Sequence, residues 1–113
     1  IKLYKAGGLW RGRQIATVAE SMGYDVNSAG TANGSHLEAL AAAHLNVSIP
    51  NHAFGAEFAM GLPQVAPDDI APEPVLEIID GEATAPDRPG LGAEIDEAAV
   101  DRLAFERILV KAP

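Results

Sequence analysis

The stretch IKLYKAGG, residues 1–8, is the first element of the chain, and the fold predicted for the other residues is built around it. Its apolar positions end at the glycine pair Gly7-Gly8, which predicts a short buried strand that leads through a turn into a helix. Lys2 lies inside this run. Burying a charged lysine costs free energy, so a buried lysine usually has an ion-pair partner or a function. One such function is that of a proton-transfer base. The simpler alternative is that Lys2 and Lys5 are ordinary lysines at a sheet edge.

Strands and helices alternate regularly after this stretch. The patterns predict, in order, a helix over 9–22, a strand over 24–31, a helix from Ser35 that ends at Pro50, and a strand over 53–59. The apolar stripe of the first helix is expected at Ile15, Val18, Ala19 and Met22. Ser35 and Glu38 have the spacing of a capping box. Strands joined by single helices through short connections are typical of parallel βαβ units, in a barrel or in an open sheet.

Composition narrows the classes of protein that the chain can belong to. Its 113 residues suffice for one small domain, and it contains no cysteine, so it has neither disulfides nor a thiolate metal site. The net charge of −8 argues against a nucleic-acid partner. No stretch is apolar enough to cross a membrane and no signal peptide is visible, which favours a cytoplasmic protein. The chain begins inside an apolar run without methionine, which indicates a piece of a longer protein.

The second half of the chain has a different character. The first 50 residues carry a net charge of +1 and the others −9, and seven of the eight prolines follow residue 50. The turn signal Asp80-Gly81 predicts a hairpin between 75–79 and 82–85. One helical turn is expected near 68–70. Asp96 is expected to cap a short helix, and 108–110 to form a last strand.

Candidate functional residues follow the ends of the predicted strands, where parallel α/β folds place their active groups. They are Lys2 as a base, Glu57 as an acid, base or ion-pair partner, and Gly30, Thr31 and Asn33 as substrate-binding residues. The turns at Gly7-Gly8 and Gly30-Thr31 can alternatively hold an anion at a helix start.

The aromatic and imidazole side chains have simpler interpretations. The three histidines lack a metal-binding spacing. His44 is expected to be a hydrogen-bonded core residue. His36, near a helix start, is expected to be exposed, with an approach to a substrate as the alternative. Trp10 is expected to pack under the opening loop.

Several motifs, in this order and at this spacing, resemble the enolase superfamily and, within it, the muconate lactonizing enzyme subgroup. In the first half they are residues 1–8, Ala19-Glu20-Ser21-Met22-Gly23-Tyr24, Ala29-Gly30-Thr31 and Ala42-Ala43-His44-Leu45. In the tail they are Asp80-Gly81, Pro86, Pro89-Gly90-Leu91-Gly92 and Glu94-Ile95-Asp96-Glu97. The resemblance covers nearly the whole chain.

The resemblance implies an α/β fold, a (β/α)7β TIM barrel beside a capping domain built from both chain ends. This chain would be the C-terminal part: the last three barrel strands and two helices in residues 1–59, and a segment returning toward the capping domain in residues 60–113.

The resemblance also implies the chemistry. The family removes a proton next to a substrate carboxylate and stabilises the resulting enolate with a divalent metal, usually Mg²⁺, or Mn²⁺. Lys2 matches one of the two lysines that flank the substrate, and Glu57 matches a glutamate of the last strand that gives polar support. Lys5 matches a variable position. The other lysine and the three metal-binding carboxylates are expected upstream, so no metal ligand is assigned here.

Two departures from the family pattern limit the assignment of a substrate. The turn Thr31-Ala32-Asn33-Gly34 is one residue shorter than in many relatives that cyclise muconate, and lacks their glutamate. The mandelate racemase branch is disfavoured, since it needs a histidine on the strand that here is 25–31.

The sequence therefore predicts a fragment of a cycloisomerase, or of a racemase or epimerase, that acts on a small carboxylate. The rivals are an acid dehydratase of the same superfamily and a fragment of a phosphate-binding barrel. The parent is expected to be a homo-oligomer, and the fragment alone to be inactive.

Overall fold

The computed structural model describes residues 1–30, 35–57, 70–72 and 76–110. The helices are α1 (Leu3–Ala6), α2 (Leu9–Ser21), α3 (His36–Val47) and α4 (Glu97–Leu103). The strands are β1 (Val26–Ala29), β2 (His52–Glu57), β3 (Ile78–Ile79) and β4 (Glu82–Ala83). No helix in the described ranges has the length and apolar character needed to cross a membrane. The predicted turn near 68–70 lies largely outside the described residues.

Strands β1 and β2 form the parallel sheet that the sequence pattern predicted. Val26 lies opposite His52, and Ala29 lies opposite Glu57. The register is irregular between these pairs, because β2 carries extra residues opposite a shorter run of β1. Gly55, with a φ of 74°, lies in this irregular part of β2. Helix α3 connects the two strands, so the observed unit is a βαβ crossover.

The prediction that the opening stretch is a strand was wrong beyond its first residues. Leu3–Ala6 is one helical turn, closed by hydrogen bonds from the N–H groups of Gly7 and Gly8 to Leu3 O at 2.9 and 3.0 Å. Leucine, lysine and alanine all favour a helix over a strand, and no β-branched residue follows Ile1 in the stretch. The backbone is extended only at the very start, where Lys2 has a φ of −107° and a ψ of 119°.

Helix α2 forms where it was predicted, but it faces the core with a different side. Gly12 and Ala16 are buried against α3, whereas Ile15, Val18 and Met22 of the predicted stripe are 47%, 60% and 66% exposed. Ala19, the fourth residue of the predicted stripe, is half-buried and packs against the core. Small residues allow the close approach of α2: a Cβ on Gly12 would lie 3.2 Å from side-chain carbons of both Leu3 and Leu45. Trp10 does not pack under the opening loop either, since it is 70% exposed.

Helix α3 carries the largest part of the core. Leu40 and Leu45 are almost completely buried on it, each burial being worth roughly 1.5–3 kcal/mol. Leu45 packs with Leu3, Ala16 and Val26, and Leu40 packs in a second cluster with Leu76. The helix begins after Ser35 as predicted, but the Ser35 side chain makes no capping hydrogen bond.

Most of the predicted tail is confirmed within the described residues. β3 and β4 pair as an antiparallel hairpin through Asp80 and Gly81, whose φ angles of 51° and 84° suit a two-residue primed turn. Asp96 Oδ1 accepts hydrogen bonds from the N–H groups of Ala98 and Ala99 at 3.0 and 3.1 Å, and so caps α4. The predicted last strand was wrong: residues 108–110 are exposed and form no regular element.

Candidate active site

The carboxyl ends of β1 and β2 lie side by side, which brings the predicted site residues of these strands together. Ala29 is opposite Glu57, and the Gly30 N–H donates a hydrogen bond to Glu57 O at 3.3 Å. Gly30 therefore extends the strand pairing by one residue. Thr31 and Asn33 lie outside the described residues.

The opening residues pair with the opposite edge of β1. The Ala29 N–H donates to Ile1 O at 3.0 Å, and the Ile1 N-terminal ammonium donates to Asn27 O. This is the hydrogen-bond pattern of a parallel pair with Ile1 opposite Ser28. Because Lys2 follows with an extended backbone, it falls opposite Ala29.

Three residues therefore form one row across the carboxyl edge of the sheet: Lys2, Ala29 and Glu57. Val26 and Ser28, at the alternate positions of β1, are buried, and Val26 packs with residues of α2 and α3. Side chains alternate between the faces of a sheet, so the row lies on the face that these helices do not cover.

Lys2 and Glu57 place a cationic and an anionic group on this open face. Lys2 is half-buried and Glu57 is exposed. In the part of the chain that the structure describes, neither side chain is held in an ion pair or hydrogen bond. Both side chains remain able to contact a bound molecule. A carboxylate of that molecule suits Lys2 best, because ammonium and carboxylate groups form charge-assisted hydrogen bonds.

Behind the row, His36 connects the start of α3 to a distant segment, a role that the sequence did not indicate. Leu76 N–H donates to His36 Nε2 at 2.6 Å, so Nδ1 carries the hydrogen and donates to Ala71 O at 2.9 Å. His36 is 4% exposed, and the expectation that it is exposed was wrong. Its partners are backbone groups 35 and 40 residues away, which no spacing pattern reveals.

The predicted hydrogen bond of His44 is confirmed, but the residue lies at the edge of the core and not within it. Its Nε2 lies 3.3 Å from Leu91 O, and the side chain is half-buried on α3.

The described residues contain no group of three or more histidine, aspartate or glutamate side chains that could hold a metal ion. These residues therefore do not fit a metal centre of their own.

The fold defines a piece of a parallel α/β protein, with the candidate site residues at the carboxyl ends of its strands. A family model described as "Enolase C-terminal domain-like" matches residues 1–99. The chain belongs to this family, whose members are α/β barrels, and the resemblance in the sequence is thereby confirmed.

Among curated proteins, the chain is similar to two muconate cycloisomerases. It is 33% identical to muconate cycloisomerase 1-1 of Acinetobacter lwoffii over 96% of this chain and 28% of that protein. It is 30% identical to muconate cycloisomerase 1 of Rhodococcus opacus over 88% of this chain and 26% of that protein. The chain thus spans little more than a quarter of the length of these relatives. No solved structure gave a significant match.

Proposed function

We propose that the chain is the C-terminal part of an enolase-type (β/α)7β barrel. The segment at Ile1, β1 and β2 would be the sixth, seventh and eighth strands, with α2 and α3 as the two helices between them. The hydrogen bonds support this, since the three segments are neighbours in chain order, as consecutive strands of a barrel are. Residues 60–113 would return toward a capping domain.

The proposed reaction of the whole protein is abstraction of a proton α to the carboxylate of a small substrate, through an enolate. The product class is that of a cycloisomerase, or of a racemase or epimerase. The observation that carries this proposal is the row of Lys2, Ala29 and Glu57 at the carboxyl edge, on the face left open by the helices. Membership of the family and the two muconate cycloisomerases favour this reaction over a phosphate-binding barrel.

Each residue of the row has a proposed role. Lys2 would take or return the α-proton, because it belongs to the row at the carboxyl edge and has no competing side-chain partner among the described residues. Glu57 would give polar support to the substrate or to Lys2. The N–H of Gly30 is bonded to Glu57 O, so Gly30 would contribute the space that its missing side chain leaves. Thr31 and Asn33 are proposed as further substrate contacts.

A divalent metal, Mg²⁺ or Mn²⁺, is proposed for the whole protein only. When bound, it supplies positive charge that lowers the energy of the developing enolate. Its ligands and the second lysine would be provided by parts of the protein outside this chain. The proposed whole protein is a cytoplasmic homo-oligomer without nucleic-acid or membrane partners.

The test of this proposal replaces Lys2 in the longer protein. Lys2→Ala should slow exchange of the substrate α-proton with D₂O by about 10²-fold or more, because general-base catalysis contributes on that order. Exchange is followed by proton NMR on a panel of small carboxylates that includes muconate.

Lys5→Ala is the matched control, since Lys5 is an exposed lysine three residues away in α1. It should leave exchange within about twofold of the unchanged protein, as expected for a group outside the reaction. An unaltered exchange rate in Lys2→Ala would remove Lys2 from the mechanism.

A further inference from the structure

Asn27 lies on β1 below the row of site residues, on the same face of the sheet. Its neighbours along the strand, Val26 and Ser28, are buried, so Asn27 and Ala29 both lie on the open face. Two residues of a strand span roughly 6.6 Å, so Asn27 is about that distance from the row, toward the start of the strand. It is therefore close to the row without being part of it.

Hydrogen bonds join Asn27 to both segments that carry the charged residues of the row. On one side, the Ile1 nitrogen donates to the backbone O of Asn27, and Lys2 follows directly. On the other side, the side-chain Nδ2 of Asn27 donates to Gly55 O at 2.8 Å, two residues before Glu57. Asn27 therefore connects the segment of Lys2 with the strand of Glu57.

Strand β2 carries a bulge at the level of Asn27. Between two consecutive pairs of the ladder, β1 has one residue, Asn27, and β2 has three, residues 53–55. The last of these, Gly55, has a φ of 74°. A Cβ on Gly55 would meet nothing within 4 Å, so glycine is needed for its backbone angle and not for space. Regular pairing resumes at the next residue, Ala56, so the Asn27 side chain is bonded to the end of the bulge.

We propose that Asn27 is a positioning residue, whose bond to Gly55 O fixes where the bulge ends and so places Glu57 in the row. The extra residues of a bulge have no partner across the sheet, so the ladder alone does not fix where pairing resumes. A shift of one residue moves every following side chain to the other face, which would take Glu57 off the open face. The value of this placement for catalysis rests on the proposed function, but the placement itself does not.

The first test measures the register by NMR in the full chain of 113 residues. Asn27→Val removes the donor and favours a strand, so β1 itself should persist. Backbone NOEs between Ala29 and Glu57 should be lost, whereas those between Val26 and His52, before the bulge, should remain. Retention of the Ala29–Glu57 NOEs would overturn the proposal. Loss of the NOEs of both pairs would overturn it too, because Asn27 would then hold the whole sheet and not its register.

Two further variants separate the hydrogen bond from the other effects of valine. Asn27→Asp keeps the size of the side chain, but a carboxylate only accepts hydrogen bonds and cannot donate to Gly55 O, so the same NOEs should be lost. Thr17→Val is the matched control, because it removes another exposed side-chain-to-backbone bond, 3.0 Å to Arg13 O on α2, and it should keep them. If Asn27→Asp keeps the NOEs, or Thr17→Val loses them, the bond of Asn27 does not set the register.

The second test follows the chemistry in the longer protein, on the small carboxylate of the panel whose α-proton exchanges fastest. Asn27→Val should lower kcat per folded molecule about tenfold or more and change KM less than about threefold, because a misplaced group slows the reacting step more than it weakens binding. The folded fraction is taken from circular dichroism, and an unchanged kcat would overturn the positioning role. If no carboxylate exchanges in the unchanged protein, the proposed function fails, and the NOEs alone decide whether Asn27 sets the register.

Discussion

His36 holds two sequence-distant segments together, and its two ring nitrogens do so with opposite roles. Nδ1–H donates to Ala71 O, and Nε2 accepts from Leu76 N–H, inside a nearly closed environment. His36→Leu keeps the volume but removes both bonds. We expect it to lower the free energy of unfolding by about 2 kcal/mol or more, because buried groups that lose a hydrogen bond cost about 1–3 kcal/mol each.

Two further variants sharpen this prediction. His36→Gln can keep an acceptor near the position of Nε2 and should recover part of the loss. His44→Leu is the matched control: it removes one longer bond, 3.3 Å to Leu91 O, from a half-buried side chain, and should cost only about 1 kcal/mol. Chemical denaturation measures the free energy of unfolding of all three variants. If His36→Leu lowers it no more than His44→Leu does, His36 does not hold the two segments together.

The limits of sequence reasoning are visible at individual residues. Lys2 and Glu57 were predicted as site residues because functional groups lie at strand ends in parallel folds, a rule that depends on local pattern alone, and their roles stay a prediction. The role of His36 depends on backbone positions that only the packed chain creates. A histidine at the start of a helix looks exposed until a segment 35–40 residues later covers it.

Among the elements, the loop between the hairpin and α4 is fixed by two glycines with different surroundings. Gly90 and Gly92 both have positive φ, 67° and 78°. A Cβ on Gly90 would meet nothing within 4 Å, whereas a Cβ on Gly92 would lie 2.6 Å from Pro86 Cβ. The loop matters to the core because Leu91 and Ala93 pack on the cluster of Leu40.

The two glycines form a matched pair for mutation. Gly90→Ala should cost about 1–2 kcal/mol, the strain of the left-handed backbone alone. Gly92→Ala should cost at least about 1 kcal/mol more, since overpacking is added to the same strain. Thermal unfolding measures both; equal losses would show that Pro86 moves freely and that the contact does not restrain the loop.

The order of the helices and strands could be predicted from the sequence, but the side of each helix that packs into the core could not. Hydrophobic periodicity predicted α2, β1, α3 and β2, and turn and capping residues predicted the hairpin and the start of α4. The predicted opening strand was wrong because the residues of Leu3–Ala6 favour a helix. Only Ile1 and Lys2 are extended and lie beside β1. The predicted core face of α2 was right only at Ala19, because the close approach of α3 places small residues, Gly12 and Ala16, in the core instead of the larger apolar ones.

At the scale of the whole molecule, the chain leaves much apolar surface uncovered. Trp10, Ile15 and Val18 on α2 and Met22 directly after it are all at least 47% exposed, and Phe105 and 108–110 are at least 76% exposed. The radius of gyration is 15.0 Å, against roughly 13 Å for a compact domain of this length. Monomeric proteins rarely leave such patches open, so this chain by itself is expected to self-associate.

That expectation can be tested on the exposed face of α2 alone. Ile15→Glu with Val18→Lys places an opposite-charge pair at i, i+3 and leaves the net charge unchanged. Both new residues favour a helix at least as well as those they replace, so the fold should persist. We expect the concentration dependence of the sedimentation coefficient, measured at roughly 5–100 μM, to weaken clearly, because association through an apolar patch depends on its area.

The matched control exchanges charges on the same helix without touching its apolar residues. Arg13→Glu with Glu20→Lys also leaves the net charge unchanged, and both positions are exposed. It should associate like the unchanged chain, with equal helical content by circular dichroism. If the control weakens association as much as the first pair does, association is driven by charge and not by apolar area. If the unchanged chain is monomeric over the whole concentration range, the exposed face of α2 does not mediate association. The expected result, weaker association of the first pair alone, would instead show that the apolar face of α2 drives association. Such a face would be covered by neighbouring elements in a larger barrel.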